Sequence, residues 1–355
     1  MDNDADRLMS IGTFAAATGL TASALRFYDD TGVLAPVEVD PRNGYRLYAE
    51  EQLGRAELIF LLREAQLPLS VMKAVLDGSA DESSLVLGKH MDEISAEALR
   101  AMSAARSALN LFIGGISGLV AVLPGYEFAR AIGQVRVSAA ASGQFHTIGI
   151  STASHALNLV ATDRHRLSWR TLRLASPTVE SSTVHVCLES AQELLPWVSD
   201  RAAIELLADA GDVSVRCMET GEQRSLAVVE GDFPDYGAVV DGLPAPVARA
   251  VVPRRELLSV VVDRSETCPL RIAENGISVG SGEGAEQLAA LTWGLPLRQW
   301  FDMTLLQPVV ESAVGPDVVL EMAGDHGPLR VRSADTSDLL SVLMPVQPPA
   351  IPERA

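Results

Sequence analysis

The stretch LNLVATDRHRLSW, residues 157–169, places an acid, Asp163, and a His-Arg pair, His165 and Arg166, in one polar turn between two apolar runs. Such a turn could be ordinary hairpin chemistry, half of a catalytic site, or the rim of a ligand pocket. Acid–base or nucleophilic catalysis would need a third group or a nucleophile beside Asp163 and His165. The chain offers no G-x-S-x-G elbow, no Walker loop and no H-E-x-x-H. GSGEGAEQ at 280–287 lacks the spacing and the strand-to-helix context of a phosphate loop. The turn therefore reads as a surface acid and a pocket-rim histidine, and the chain as no enzyme. Cys187, Cys217 and Cys268 lie far apart without C-x-x-C spacing, so they read as free thiols of a reducing compartment. Neither cysteines nor histidines cluster as ligands, and no metal or other cofactor is expected.

The elements that position this turn belong to a chain of 355 residues, long enough for two or three domains. Apolar residues make up 48% and charged ones 21%, which suits folded cores rather than disorder. No apolar run reaches the roughly 18–20 residues of a membrane span. LNLFIGGISGLVAVLPG at 109–125 is broken by glycines, and the acidic start MDNDADR lacks the order of a secretory signal. A soluble cytoplasmic protein without membrane partners is the expectation. The net charge of −18 excludes broad non-specific affinity for nucleic acid, but not a local DNA-binding patch.

Such a patch is legible at the start. IGTFAAATGLTASALRFYDDTGVL gives two short helical patterns around Gly19, with Thr21 as N-cap of the second. VEVDPRNGYRLYAEEQL then reads as a hairpin with an Asn43-Gly44 turn and Arg42, Tyr45 and Arg46 at its tip. A basic, aromatic hairpin beside a helix-turn-helix forms a wing that grips phosphates while a helix enters the major groove. With GYRLY and ELIFLLREAQLPLSVMKAVLD, residues 10–77 resemble the MerR family of transcription regulators. The resemblance implies that Arg26 and Tyr28 touch the DNA backbone and that Arg42, Tyr45 and Arg46 serve the wing. Thr21 and Ser23 open the recognition helix, where base edges are most accessible. Phe27 departs from the family's tyrosine.

Within 81–113, Met91, Ile94, Ala98, Met102, Ala105, Leu109 and Phe112 follow steps of three and four, a coiled-coil-like seam that needs a partner. The MerR resemblance makes that partner the same helix of a second, antiparallel subunit. No cysteines follow the helix, so metal sensing is not expected.

From about residue 124 an order of helix, strands, helix and strands occurs twice, as in a duplicated domain with helices on one face of antiparallel sheet. LVATDRHRLSW, GDFPDYGAVV, VPRRELLSVV and SVLMPVQ come in this order. Together they resemble the middle and C-terminal domains of the bacterial sliding clamp, the β subunit of DNA polymerase III, over about 124–347; the clamp's own first domain is replaced by the MerR-like module. The resemblance implies a peptide pocket at Thr162, His165, Arg166, Leu167, Pro234, Val239, Val342, Leu343, Met344, Pro345 and Val346. Met and branched aliphatics suit an adaptable apolar cleft with a few polar groups to orient the ligand. Gln347 and the following prolines replace a basic ending, Ala238 stands where arginine is common, and Thr147 lies near a usual leucine. SAQELLPWVSD and DMTLLQPVVESAV carry no basic residue, unlike helices that slide on DNA. Arg130, Arg136, Arg254 and Arg255 alone remain for that task.

The expected fold is α+β: a winged helix-turn-helix at 1–78, a dimerisation helix and linker at 79–123, clamp-like domains at 124–246 and 247–347, and a flexible tail at 348–355. The expected function is a dimeric bacterial regulator, cytoplasmic and nucleoid-associated, that distorts promoter DNA for RNA polymerase. Its effector would be a clamp-binding peptide or a clamp-targeting cyclic-peptide antibiotic, with antibiotic resistance as the outcome. The alternative is a DNA-bound module that recruits clamp-binding replication or repair proteins without switching transcription.

Overall fold

The computed structural model describes residues 8–348 apart from 42–43, 114–118, 154, 175–182, 210, 263, 265–266 and 325. Arg42, Asn43, the side chains of Leu109 and Phe112, and the tail from 349 onward lie outside the described residues. The chain divides into two compact units, Met1–Ala98 and Leu99–Ala355, with the division inside the helix Ala80–Ile113.

In the first unit, local capping chemistry sets the helix ends. The Ser10 hydroxyl accepts from Thr13 N at 3.2 Å and opens the helix Ile11–Thr18. Gly19 ends that helix at φ 71°, a left-handed conformation that a side chain would penalise. Thr21 accepts from Ala24 N at 3.1 Å and opens the helix Ala22–Asp30. Phe14, Leu25, Tyr28, Tyr48 and Ile59 form the centre of the core. Phe14 and Tyr48 stack with ring centroids 4.6 Å apart. The hairpin strands Glu38–Val39 and Arg46–Tyr48 pair as the sequence predicts, and a further strand, Met9–Ser10, joins Arg46–Tyr48 on its other side. The helices Leu53–Glu64 and Leu69–Asp77 add Ala56, Leu62, Met72 and Val75 to that core.

The second unit repeats one plan twice. In the first half, the helices Gly125–Val135 and Leu188–Ser199 bury Phe128, Ile132, Leu194 and Val198 against sheet residues including Ile148, Leu157 and Leu206. In the second half, Arg254–Val261 and Met303–Ser312 bury Leu257, Val261, Leu306 and Val309 against Leu270, Phe301 and Leu320. Each fully buried large apolar side chain stabilises the fold by about 1.5–3 kcal/mol relative to exposure. Strand pairing is antiparallel throughout.

One sheet of nine strands runs through both halves. Its order is Leu291–Gly294, Ala248–Pro253, Asp317–Met322, Leu329–Ser333, Leu339–Leu343, Arg166–Arg173, Ala156–Thr162, Thr147–Ala153 and Thr183–Cys187. The halves join where Leu339–Leu343 pairs with Arg166–Arg173, in register from Leu339 opposite Arg170 to Leu343 opposite Arg166. At this seam the hydroxyls of Ser138, Ser168 and Ser341, all buried, bond in a chain at 2.7 and 2.8 Å. Two four-stranded sheets complete the halves. No helix among the described residues is long and apolar enough to cross a membrane.

Candidate functional site

The turn of residues 163–165 joins the strands Ala156–Thr162 and Arg166–Arg173, and its own polar groups build it. Asp163 Oδ1 accepts from the backbone N–H groups of His165 at 3.0 Å and Arg166 at 2.9 Å. Asp163 Oδ2 accepts from Arg166 Nε at 2.9 Å. The Thr162 hydroxyl donates to the Arg166 carbonyl at 2.7 Å and accepts from Arg164 N at 3.1 Å. Both Asp163 oxygens therefore serve the turn and Arg166, not the His165 ring, and the pair does not form a catalytic dyad. Arg166 also donates to the Leu305 carbonyl at 3.1 Å, so its guanidinium ties the two halves together.

Beside this turn lies a cleft of about 290 Å³. Of the pocket positions that the resemblance implies, Thr162, His165, Arg166, Leu167, Pro234, Val239, Val342 and Met344 line it. The structure adds Phe145, Arg164, Tyr236, Val240 and Leu243. Pro345 and Val346 do not line the cleft, and Val346 N instead bonds the Trp300 carbonyl at 2.8 Å. Leu343 is corrected outright: it is fully buried in the second core, facing away from the cleft. Strand alternation explains the difference, since neighbours point to opposite faces. Met344 is 45% exposed and its N–H bonds the His165 carbonyl at 2.8 Å, which ties this wall to the turn.

The remaining wall is the short helix Tyr236–Asp241, opened by Asp235, whose Oδ1 accepts from Ala238 N at 3.0 Å. Tyr236 is buried, and burial pushes its phenol up to about 12, so it stays neutral. A broader depression of about 570 Å³ over Asn275 and Gly276 is more open and mixes polar with apolar side chains, and gives an apolar ligand less to bury.

An aromatic ladder supports the cleft. Phe145 meets Phe233 edge-on at 6.5 Å, and Phe233 stacks on His185 at 3.5 Å. His185 is buried, its Nδ1 has no hydrogen-bond partner, and burial pushes its pKa down to about 4. The unfolded chain protonates this ring near its ordinary 6.5, whereas the folded unit does so only near 4. Acid thus favours unfolding across that window, and stability is fully present only above it. Between pH 6.5 and 4 the loss from this residue is expected to be about 3 kcal/mol. Urea titrations of wild type and His185→Phe check this: the variant's stability should change less over that range.

In the first unit, Thr21, Ser23 and Arg26 are exposed at the start of the helix Ala22–Asp30. Tyr28 corrects the expectation of a backbone contact, because it is 4% exposed and packs in the core, while Phe27 beside it is 51% exposed. Tyr45 is exposed on the hairpin. Arg46 is engaged within the fold, with Nε 2.6 Å from Asp29 and Nη2 3.8 Å from Asp30. That pair ties the hairpin to the helix and offsets the cation expected to face phosphate. Among the described residues no cluster of acid, histidine or cysteine side chains suits a metal ion.

Residues 9–79 match the family model of the MerR HTH family regulatory protein, and residues 122–235 match that of the DNA polymerase III beta subunit, central domain. The HTH-type transcriptional regulator ZntR homolog of Haemophilus influenzae is 33% identical over 93 residues, covering 24% of this chain and 68% of that protein. Nodulation protein NolA of Bradyrhizobium sp. is 36% identical over 95 residues, covering 27% of this chain and 39% of NolA. The HTH-type transcriptional activator TipA of Streptomyces coelicolor is 35% identical over 87 residues, covering 24% of this chain and 34% of TipA. This chain thus spans well under half the length of NolA and TipA. Among solved structures, a DNA polymerase sliding clamp from Pseudomonas aeruginosa aligns with TM-score 0.60 and 18% identity, over 66% of this chain and 68% of the clamp. The DNA polymerase III beta subunit of Thermotoga maritima aligns with TM-score 0.59 and 19% identity, over 66% of this chain and 67% of that chain. At such identities the likeness shows a shared fold.

Proposed function

The chain belongs to the MerR HTH family, and from that premise we propose that it is a DNA-binding transcription regulator whose clamp-like part senses a clamp-binding ligand. The observation that carries this reading is the apolar cleft beside residues 163–165, framed by the strand pairing that joins the two clamp-like halves. The DNA-binding part is residues 1–78, with Thr21, Ser23 and Arg26 on its recognition helix and Tyr45 on its wing. Arg42 belongs to the same wing by sequence. Residues 79–123 supply the dimerisation helix, Ala80–Ile113, and a linker, and 124–347 forms the sensor.

The ligand is a clamp-binding peptide segment or a cyclic-peptide antibiotic that targets clamps. A regulator that resembles an antibiotic's target meets the drug with the same cleft and switches on resistance. Switching requires the ligand to bind one dimer conformation better than another. The output is a distorted promoter that RNA polymerase engages, with sequence read partly through the cost of deforming DNA.

The test is a titration of the full-length chain with a clamp-binding peptide and a clamp-directed cyclic peptide, alongside transcription from the protein's own promoter. Binding with a ligand-dependent change in transcription is the expected result. Binding that alters neither transcription nor DNA affinity would favour a recruiting module instead. No binding of either ligand ends the sensor reading.

A further inference from the structure

The cleft carries two arginines beside one turn, and their circumstances differ. Arg166 is committed: Asp163 neutralises it at 2.9 Å, it donates to the Leu305 carbonyl, and its side chain is 12% exposed. Arg164 is exposed and forms no ion pair among the described residues. Its guanidinium lies 4.7 Å above the Phe145 ring, across the cleft's edge.

Its backbone is unusual too. Arg164 holds φ 76°, the left-handed region that favours glycine. The conformation persists because the Thr162 hydroxyl accepts from the backbone N–H of Arg164 and the Asp163 carboxylate from those of His165 and Arg166. A long cationic side chain on such a backbone points to a use beyond the turn itself. Stacking on Phe145 orients the guanidinium plane and leaves its in-plane N–H groups available as a fork for a carboxylate.

Charge sharpens the point. The whole chain carries −18, yet among the described residues that line this cleft there are two arginines and no acid. Asp163 is occupied by Arg166, and the nearby Asp235 carboxylate caps its helix. Behind the cation the wall is apolar, with Leu167, Val239, Val342 and Met344.

We propose that Arg164 is the specificity-determining residue of this cleft, and that it selects an apolar peptide or peptide-like ligand that carries a carboxylate at the end of its apolar segment. The proposal rests on the reading of the cleft as a ligand site. Phe145 is the positioning residue that holds the guanidinium over the mouth.

Calorimetric titration of the full-length protein with the N-acetylated peptide Ser-Leu-Ser-Leu-Phe, as free acid and as carboxamide, tests it. The acid is expected to bind about tenfold more tightly than the amide, with the preference shrinking in 1 M salt. Arg164→Gln should lower acid affinity to that of the amide and leave the amide within about twofold, while Phe145→Leu should reduce the preference in part. Arg164→Gly keeps the readout independent of folding: it suits the left-handed backbone, so the melting temperature should hold or rise while the preference vanishes. Equal binding of acid and amide by the wild type overturns the role of Arg164 and leaves the cleft reading standing. Binding of neither overturns both.

Discussion

Replacing Leu343 by alanine lowers the unfolding free energy of the clamp-like unit by about 2–5 kcal/mol, whereas Met344→Ala changes it by less than about 0.5 kcal/mol. The two residues are neighbours in the chain and opposites in the fold. Leu343 is fully buried in the second core, at the end of the strand that joins the two halves. Its truncation leaves a cavity that the surrounding strands cannot close. Met344 is 45% exposed on the cleft wall, so its truncation costs the free protein little. Its effect falls on binding, where loss of its adaptable apolar surface should weaken a clamp-binding peptide about tenfold. Urea unfolding and peptide titration of both variants separate the roles. Equal destabilisation by the two, or unchanged binding by Met344→Ala, would count against this division of labour.

Ile94→Asp should turn the dimer into a monomer and lower affinity for promoter DNA by about 10²–10⁴ at fixed protein concentration. Ile94 is 43% exposed and Met91 66% exposed on the helix Ala80–Ile113, where an isolated chain leaves an apolar stripe in water. In the proposed dimer each such residue would pack between residues of the facing helix, and an aspartate there would be buried without a partner. The monomer keeps its fold, because Ile94 is not part of the first unit's core. DNA affinity falls steeply because two linked units reach two half-sites and one unit reaches one. Sedimentation with gel-shift titration reads both quantities. A variant that remains dimeric, or a monomer that binds as tightly as the dimer, would refute the assignment of this seam.

Much of this arrangement could be read from residue types. Thr21 as a cap, Gly19 in the turn and Gly44 in the hairpin declare the first unit, because each meets a local backbone demand. The strand Met9–Ser10 was beyond reach, since two residues carry no periodicity and the pairing is long-range. In the second unit the motifs delivered one wall of the cleft and part of another. Phe145, Arg164, Tyr236, Val240 and Leu243 were missed because only folding brings them to the turn. Their one local signal was Arg164, a polar neighbour inside the turn already singled out. Leu343 and Met344 were assigned alike because SVLMPV is apolar almost throughout, and a strand buried on both faces shows no alternation to read. Tyr28 was misplaced for a different reason: a tyrosine at helical spacing suits a core as well as a surface. Arg46, which the resemblance assigns to the wing, follows Asp29 and Asp30 by less than twenty residues, and these take up its charge.

The seam between Arg166–Arg173 and Leu339–Leu343 also dictates when the cleft comes into being. Its bonded serines, Ser168 and Ser341, stand 173 positions apart. Pairings of such separation close late, after the local hairpins of each half have formed. On that order early species would have no ligand site, and a ligand of the cleft would hold only the finished fold. At a concentration of one hundred times Kd that hold is about 2.7 kcal/mol. A drug-like ligand would thus prolong the life of completed molecules without hastening their birth, and the cellular level of the regulator would itself rise with exposure.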